Sequence, residues 1–339
     1  MRFFHPSRTR PGILMNKLVK ILSIDGGGIR GIIPAMLLAE IERRMQQPIA
    51  QMFDLIAGTS TGGILALGLA IPKMAGAALY AAQDLVDMYA GEGNSIFSRS
   101  LLHRLAACGN LRHEKYPCTG IEQVLSKYFG DSRLRNAVTD VLIASYEIER
   151  SIPFFFRSSM ARERPDYDFP ARDVARATSA APTYFQPMKL PSTTDPSHYT
   201  LIDGGVFANN PSACALVEAR TNYPDASDFL VVSLGTGQLN YSFPYDRAKT
   251  WGIFRWAIPI LDIVFDGISK TVDYQLRQLL PEGLIPCPRY YRFQTTLDGR
   301  NHSMDNSSPE NITALKALAY KLIEKESARI DKLCAILDQ

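Results

Sequence analysis

Cysteine is scarce in this sequence. Cys108, Cys118, Cys214, Cys287 and Cys334 are odd in number and scattered, with no C-x-x-C pair. That argues against a disulfide framework and against a cysteine zinc site, so no metal is expected. It fits a reduced, cytoplasmic setting. An excess of one charge is also missing: 37 Lys and Arg stand against 34 Asp and Glu, a formal net of +3. Composition therefore makes no case for nucleic-acid binding. No segment reaches the roughly 18 uncharged apolar residues of a spanning helix. The stretch 1–14 carries Arg2, Arg8 and Arg10 but no apolar run, so it does not read as a signal peptide. Met15 is a second candidate start, which leaves residues 1–17 as an N-terminal extension.

What is present is ordinary for a chain with a large core: 46% apolar and 21% charged residues. Leu18 to Ile24 reads as a buried strand ended by Gly26-Gly27-Gly28, and Ile32 to Met45 shows helical spacing. Phe53 to Ala57 is a second strand, followed by the turn Gly58 to Gly63 and a small-residue helix to about Ala70. Helix is expected again over Ala75 to Ala90, and residues 91–120 look irregular. Farther on, Val138 to Tyr146 and Phe229 to Leu234 read as strands, Leu201-Ile202 ends a third, and Ser308 to Leu337 is a helical tail. Strands alternating with helices predict an α/β fold with a mostly parallel central sheet and helices on both faces.

Three motifs carry chemistry. Gly58-Thr59-Ser60-Thr61-Gly62 fits G-x-S-x-G between a strand and a helix, the context a nucleophile elbow requires. The bland alternative for Ser60 is an ordinary helix N-cap. Asp25-Gly26-Gly27-Gly28-Ile29-Arg30-Gly31 also joins a strand to a helix, and its glycines can present several amides to one oxyanion. Arg30 could anchor that loop or meet a lipid phosphate. Gly26, Gly28 and Gly31 satisfy the dinucleotide pattern G-x-G-x-x-G as well. That reading needs an acid at the end of the second strand, and Asp54 lies at its start. Asp203-Gly204-Gly205 ends a short apolar strand, either as a turn aspartate or as a carboxylate at the ligand-binding edge of the sheet.

A general base remains to be found. None of His5, His103, His113, His198 and His302 follows a clear strand end. Asp203 would have to take the proton itself, with burial raising a carboxyl that ordinarily titrates near 3.9. The competing order Ser60, Asp203, His302 matches an α/β-hydrolase triad, but Asn301-His302-Ser303 reads as an exposed polar loop.

Together these motifs, in this order, resemble the patatin-like phospholipase family, as do Ala175 to Phe185, Asn209-Asn210-Pro211 and Ser233 to Gly237. The resemblance is strong over 18–240. It implies a three-layer α/β/α fold, with 18–240 as catalytic core and 241–339 as a lid and helical part of the same domain. It implies a phospholipase A-type serine lipid acyl hydrolase without cofactor. Carried over, Ser60 is nucleophile and Asp203 base, and Gly26, Gly27, Gly28 and Arg30 belong to the oxyanion loop. The silent alternative is a lipid-binding protein on the same fold. Bacterial members of the family include antiphage effectors, so the resemblance also implies antiviral defence and a cyclic nucleotide activator. Expected partners are membrane phospholipid, met by peripheral contact with the inner membrane, and a second copy in a homodimer. The apolar stretch Trp251 to Ile268 suits a lid or lipid contact. Trp251, Phe254, Trp256, Leu261 and Phe265 are its candidate residues, Arg255, Asp262 and Asp266 form a polar stripe, and Val272, Leu276, Leu279 and Leu280 could line an acyl tunnel.

Overall fold

Strands β1 (Leu18–Ile24), β2 (Leu55–Thr59), β3 (Asp140–Glu147), β7 (Asp228–Leu234) and β9 (Tyr290–Phe293) run parallel in the computed structural model. It describes residues 17–72, 78–96, 115–192, 196–239, 243–256, 259–281, 288–297, 301 and 303–339. Strands β4 (Ile152–Arg157), β5 (Met188–Pro191) and β6 (His198–Asp203) add antiparallel pairings. The eight-stranded sheet has the order β5-β6-β3-β2-β1-β7-β9, with β4 beside β3. The short strands β8 (Gln238–Leu239) and β10 (Thr296–Leu297) pair separately.

The central strands are apolar along their length because both faces are covered. Leu22, Ile24 and Ile56 point into one core, and Val19, Ile21, Leu55 and Ala57 into the other. The first core lies under a thick helical layer that includes Ile32–Met45, Thr61–Ala70, Ala171–Thr178 and Pro309–Lys325. The second lies under Ser212–Asn222 and Pro259–Leu279. This is the three-layer arrangement with a mostly parallel sheet that the sequence implies. The helix Thr61–Ala70 is buried on every side, which explains its lack of any polar stripe.

Several elements differ from expectation. The helix expected from Ala75 begins at Ala82 and runs to Ile96, into the stretch read as irregular, and the helix that the sequence predicts over Ile121 to Tyr128 spans Cys118–Phe129. The tail divides into Pro309–Lys325 and Ser327–Leu337. Residues 241–339 contribute more than lid and helices, since β9 is a strand of the central sheet. The stretch Trp251 to Ile268 falls on two helices, Ile253–Trp256 and Pro259–Leu279. Pro259 opens the second, where its missing N–H has no intrahelical partner to lose.

Candidate active site

Strand β2 runs directly into Ser60, whose backbone takes φ 56° and ψ −124°. A side-chain-bearing residue rarely adopts that conformation, and it costs roughly 1–3 kcal/mol where surrounding structure enforces it. The enforcement is visible. The Ser60 N–H donates to Thr178 Oγ1 at 2.9 Å, and Thr178 Oγ1 donates to the Ala144 carbonyl at 2.5 Å. Gly62 lets the elbow press against β1, because a Cβ there would lie 2.1 Å from the Ile24 carbonyl oxygen.

Asp203 reaches Ser60 by an unexpected route. Its strand β6 is antiparallel to β3, entering from the carboxyl edge of the parallel strands and stopping with Asp203 opposite Ser145. On the same edge of β3, one residue earlier, Thr59 lies opposite Ala144, while β4 fills the other edge. The serine and the carboxylate thus emerge at nearly the same level, at the edge where the parallel strands end. The Asp203 carboxylate accepts from Gly205 N–H at 2.7 Å and lines one cavity with Ser60. Burial pushes its pKa up to about 6, although the Ser60 hydroxyl and the Gly205 amide act to lower it. His198 sits at the far end of β6 and contacts Glu149 at 3.3 Å. His5, His103, His113 and His302 lie outside the described residues.

The glycine loop has two sides. The Gly26 N–H is engaged by the Asn209 carbonyl at 3.0 Å and the Ile29 N–H by the Met304 carbonyl at 2.8 Å. Thr236 Oγ1 holds the Gly26 carbonyl at 2.6 Å, and Arg30 Nε holds the Gly27 carbonyl at 3.1 Å. In a planar trans peptide the C=O and the following N–H point in opposite directions. Pinning those two carbonyls on one side therefore aims the Gly27 and Gly28 amides to the other. Gly27 and Gly28 line the cavity that also holds Ser60 and Asp203, while Arg30 and Thr236 line a polar compartment behind the loop. Of the four expected loop residues, two thus present amides to the cavity, Gly26 is tied to Asn209, and Arg30 is an anchor. Gly28 sits at φ 60°, and a Cβ on it would strike the Met304 carbonyl at 2.1 Å.

Sequence reasoning missed the clasp under this loop. Asp25, 1% exposed, is held by Arg292 of β9 through Nη1–Oδ1 at 2.9 Å and Nη2–Oδ2 at 2.6 Å. Arg292 Nη1 also donates to Ser233 Oγ at 2.8 Å. Burial alone would lower the Arg292 pKa, yet the Asp25 charge and hydrogen bonds leave it raised. The available signal was a lone arginine inside the apolar run Tyr290-Tyr291-Arg292-Phe293, since a buried charge needs a partner.

The polar stretch around residue 302 is not the exposed loop its composition suggests. Asn301, Asp305 and Ser307 are buried. Asp305 accepts from Tyr116 at 2.7 Å and pairs with Lys115. The polar side chains of this segment have partners, so its backbone can pass through the interior and brace the glycine loop through Met304.

Of the lid candidates, Phe265 is buried and lines the cavity, and Leu261 is half-buried one turn earlier. Trp251 packs edge-on against Trp256 at 5.0 Å and Phe243 at 5.2 Å, and neither tryptophan lines the cavity. The Phe254 side chain lies outside the described residues. Asp262 and Asp266 line the polar compartment with Arg30, whereas Arg255 belongs to the separate short helix. Val272, Leu276 and Leu280 pack in the second core and do not line the cavity, while Leu279 is exposed.

The cavity, about 60 Å³, is walled mainly by Ile29, Ile64, Ile121, Phe185, Phe265 and Met304. An apolar chamber with a hydroxyl, a carboxylate and two amides converging on it suits acyl transfer from an apolar ester. Among the described residues no His, Cys, Asp or Glu cluster could hold a metal ion.

Comparison with known proteins agrees with this chemistry. A family model described as patatin-like phospholipase matches residues 22–215. Patatin-like protein 4 of Arabidopsis thaliana is 33% identical, over 93% of this chain and 85% of that protein. Patatin-like protein 2 of Oryza sativa subsp. indica is 35% identical, over 93% of this chain and 86% of that protein. The solved structure of VipD from Legionella pneumophila aligns with 90% of this chain and 67% of its own at 10% identity, with a TM-score of 0.37.

Proposed function

This chain belongs to the patatin-like phospholipase family, a class of lipid acyl hydrolases, and we propose that it cleaves fatty acyl esters of phospholipids through Ser60 and Asp203. The observation that carries the proposal is that Ser60 and the buried Asp203 carboxylate line one cavity, which Gly27 and Gly28 of the glycine loop also line.

Ser60 Oγ attacks the ester carbonyl carbon as its proton passes to Asp203. The carbonyl oxygen becomes an oxyanion and accepts from the Gly27 and Gly28 N–H groups, each contributing on the order of 3 kcal/mol to transition-state stabilisation. The tetrahedral intermediate collapses, Asp203 returns the proton to the leaving alkoxide, and a lysophospholipid departs. Water then attacks the acyl-enzyme, giving its proton to Asp203. Collapse frees the fatty acid and restores the Ser60 hydroxyl. A carboxyl near pKa 6 is a better proton acceptor than an ordinary aspartate and is still largely ionised at neutral pH.

No helix among the described residues is long and apolar enough to cross a membrane. Ile253, Ile260 and Ile263 are nevertheless exposed near Phe265 and support a peripheral contact with the inner membrane. Activation by a cyclic nucleotide and a role in antiviral defence rest on the resemblance to bacterial effectors alone, and the hydrolysis proposed here needs neither.

The test is mass spectrometry of products from mixed phospholipids. Lysophospholipid and free fatty acid are expected from the intact protein and neither from Ser60→Ala or Asp203→Asn. His302→Ala should retain near-full activity. Loss of activity there would replace the proposed pair by the triad Ser60, Asp203 and His302.

A further inference from the structure

Thr178, Ser179 and Ala180 end the helix Ala171–Thr178 and enter the site in three ways. The Thr178 hydroxyl receives the Ser60 N–H, and the Ala180 carbonyl receives the Asp203 N–H at 3.0 Å. Between them Ser179 lines the same cavity as Ser60 and Asp203. Ser179 is 7% exposed, and its Oγ is buried with no hydrogen-bond partner in the protein.

That isolation is unusual for its surroundings. Other polar side chains on the cavity wall are engaged: Thr61 with the Tyr89 hydroxyl, Asn209 with Ser269 at 3.1 Å, and Asp203 with Gly205. A buried hydroxyl left without a partner costs stability. Alanine at this position would remove that cost, so a hydroxyl here needs a use outside the resting fold. Its position on the wall limits what the use can be. The glycine loop faces the oxygen that becomes the oxyanion. Ser179 lies instead on the segment that holds Asp203, the group that must hand a proton to the departing alkoxide.

We propose that Ser179 donates a hydrogen bond to the alkoxy oxygen of the bound ester, making it a substrate-contacting residue that favours oxygen esters and helps the leaving group depart. This inference rests on the Ser60–Asp203 reading above. No atom is transferred to or from Ser179. Its O–H stabilises charge on the alkoxy oxygen as the C–O bond breaks, and the proton that neutralises that oxygen comes from Asp203.

The experiment pairs one side-chain change with one substrate-atom change. Steady-state kcat/KM is measured for wild type and Ser179→Ala on an oxygen-ester phosphatidylcholine and on its thioester analogue with the same acyl chain. Sulfur is a weak acceptor, so the analogue lacks the partner Ser179 requires. Ser179→Ala is expected to lose roughly tenfold on the oxygen ester and less than about twofold on the thioester. Ser179→Cys, with a weak donor of similar size, should behave like the alanine variant on both substrates. The thermal midpoint of Ser179→Ala should be equal to or above that of wild type. An equal loss on both substrates, or no loss on either, overturns the inference. Ser60→Ala separates the two readings: if it is inactive and the inference fails, the catalytic reading stands, whereas an active Ser60→Ala removes both.

Discussion

At Ser60 the backbone is held at φ 56°, and at Asp203 burial raises the carboxyl pKa to about 6. Both conditions set local stability against chemistry, and the second yields predictions. The proposed base must be ionised to accept the serine proton, so kcat/KM should rise with pH through an apparent pKa near 6 and level off above it. Stability should move the other way. The folded protein holds the Asp203 proton more tightly than the unfolded chain, so that contribution is lost as pH rises from about 4 to about 6. Asp203→Asn removes the penalty. Above pH 6 it should raise the unfolding free energy by on the order of 1–3 kcal/mol while lowering kcat at least about 10³-fold. Denaturant melts of both proteins at pH 4.5 and pH 7.5 check the first effect, and turnover checks the second. A gain at pH 4.5 as large as that at pH 7.5 would mean that the titration of Asp203 is not its source.

The glycine loop acts as a unit because its carbonyls are tied behind it. Replacing Arg30 by Met leaves the Gly27 carbonyl without its side-chain donor and lets the following amide swing from the cavity. A fall in kcat on the order of 10–10² with little change in KM is expected, the pattern of an interaction made only in the transition state. Replacing Arg292 by Met strands the buried Asp25 carboxylate, which should cost about 3–5 kcal/mol of stability, read from denaturant melts. The motif residues Asp25 to Gly31, Ser60 and Asp203 were legible in the sequence because local spacing and glycine placement encode tight turns. The Asp25–Arg292 clasp was not legible, since 267 residues separate its partners and no local pattern joins them. The polar segment from Asn301 to Ser307 misled for a related reason. Composition reports how polar a segment is, but not whether its polar groups satisfy one another inside the fold.

Most of the sheet could be read from apolar runs, because strands covered on both faces leave continuous hydrophobic segments. β4, β5 and β9 could not, being short or partly polar; the end of β6 was read at Leu201-Ile202, but its antiparallel entry left no trace in periodicity. The long helix Pro259–Leu279 shows the same limit: Asp262, Asp266 and Ser269 face a compartment inside the protein, while its later polar residues such as Lys270, Gln275 and Arg277 face solvent. Its amino end and the preceding short helix offer Ile253, Ile260 and Ile263 to the outside. Changing Ile260 and Ile263 together to Asp should reduce cleavage of phospholipid in vesicles by about tenfold or more. It should leave cleavage of a short-chain ester in solution within about twofold, because the fold keeps its buried face. Equal effects on both substrates would assign these residues to the site itself.

Synthesis gives the clasp a further meaning. A nascent chain emerges from its amino end at roughly 5–20 residues per second, so the serine, the aspartate and the whole glycine loop leave the ribosome before Arg292 exists. Until β9 arrives, Asp25 has no counter-ion and the loop has no fixed floor. The floor of the site is therefore laid only once β9, late in the chain, has been made.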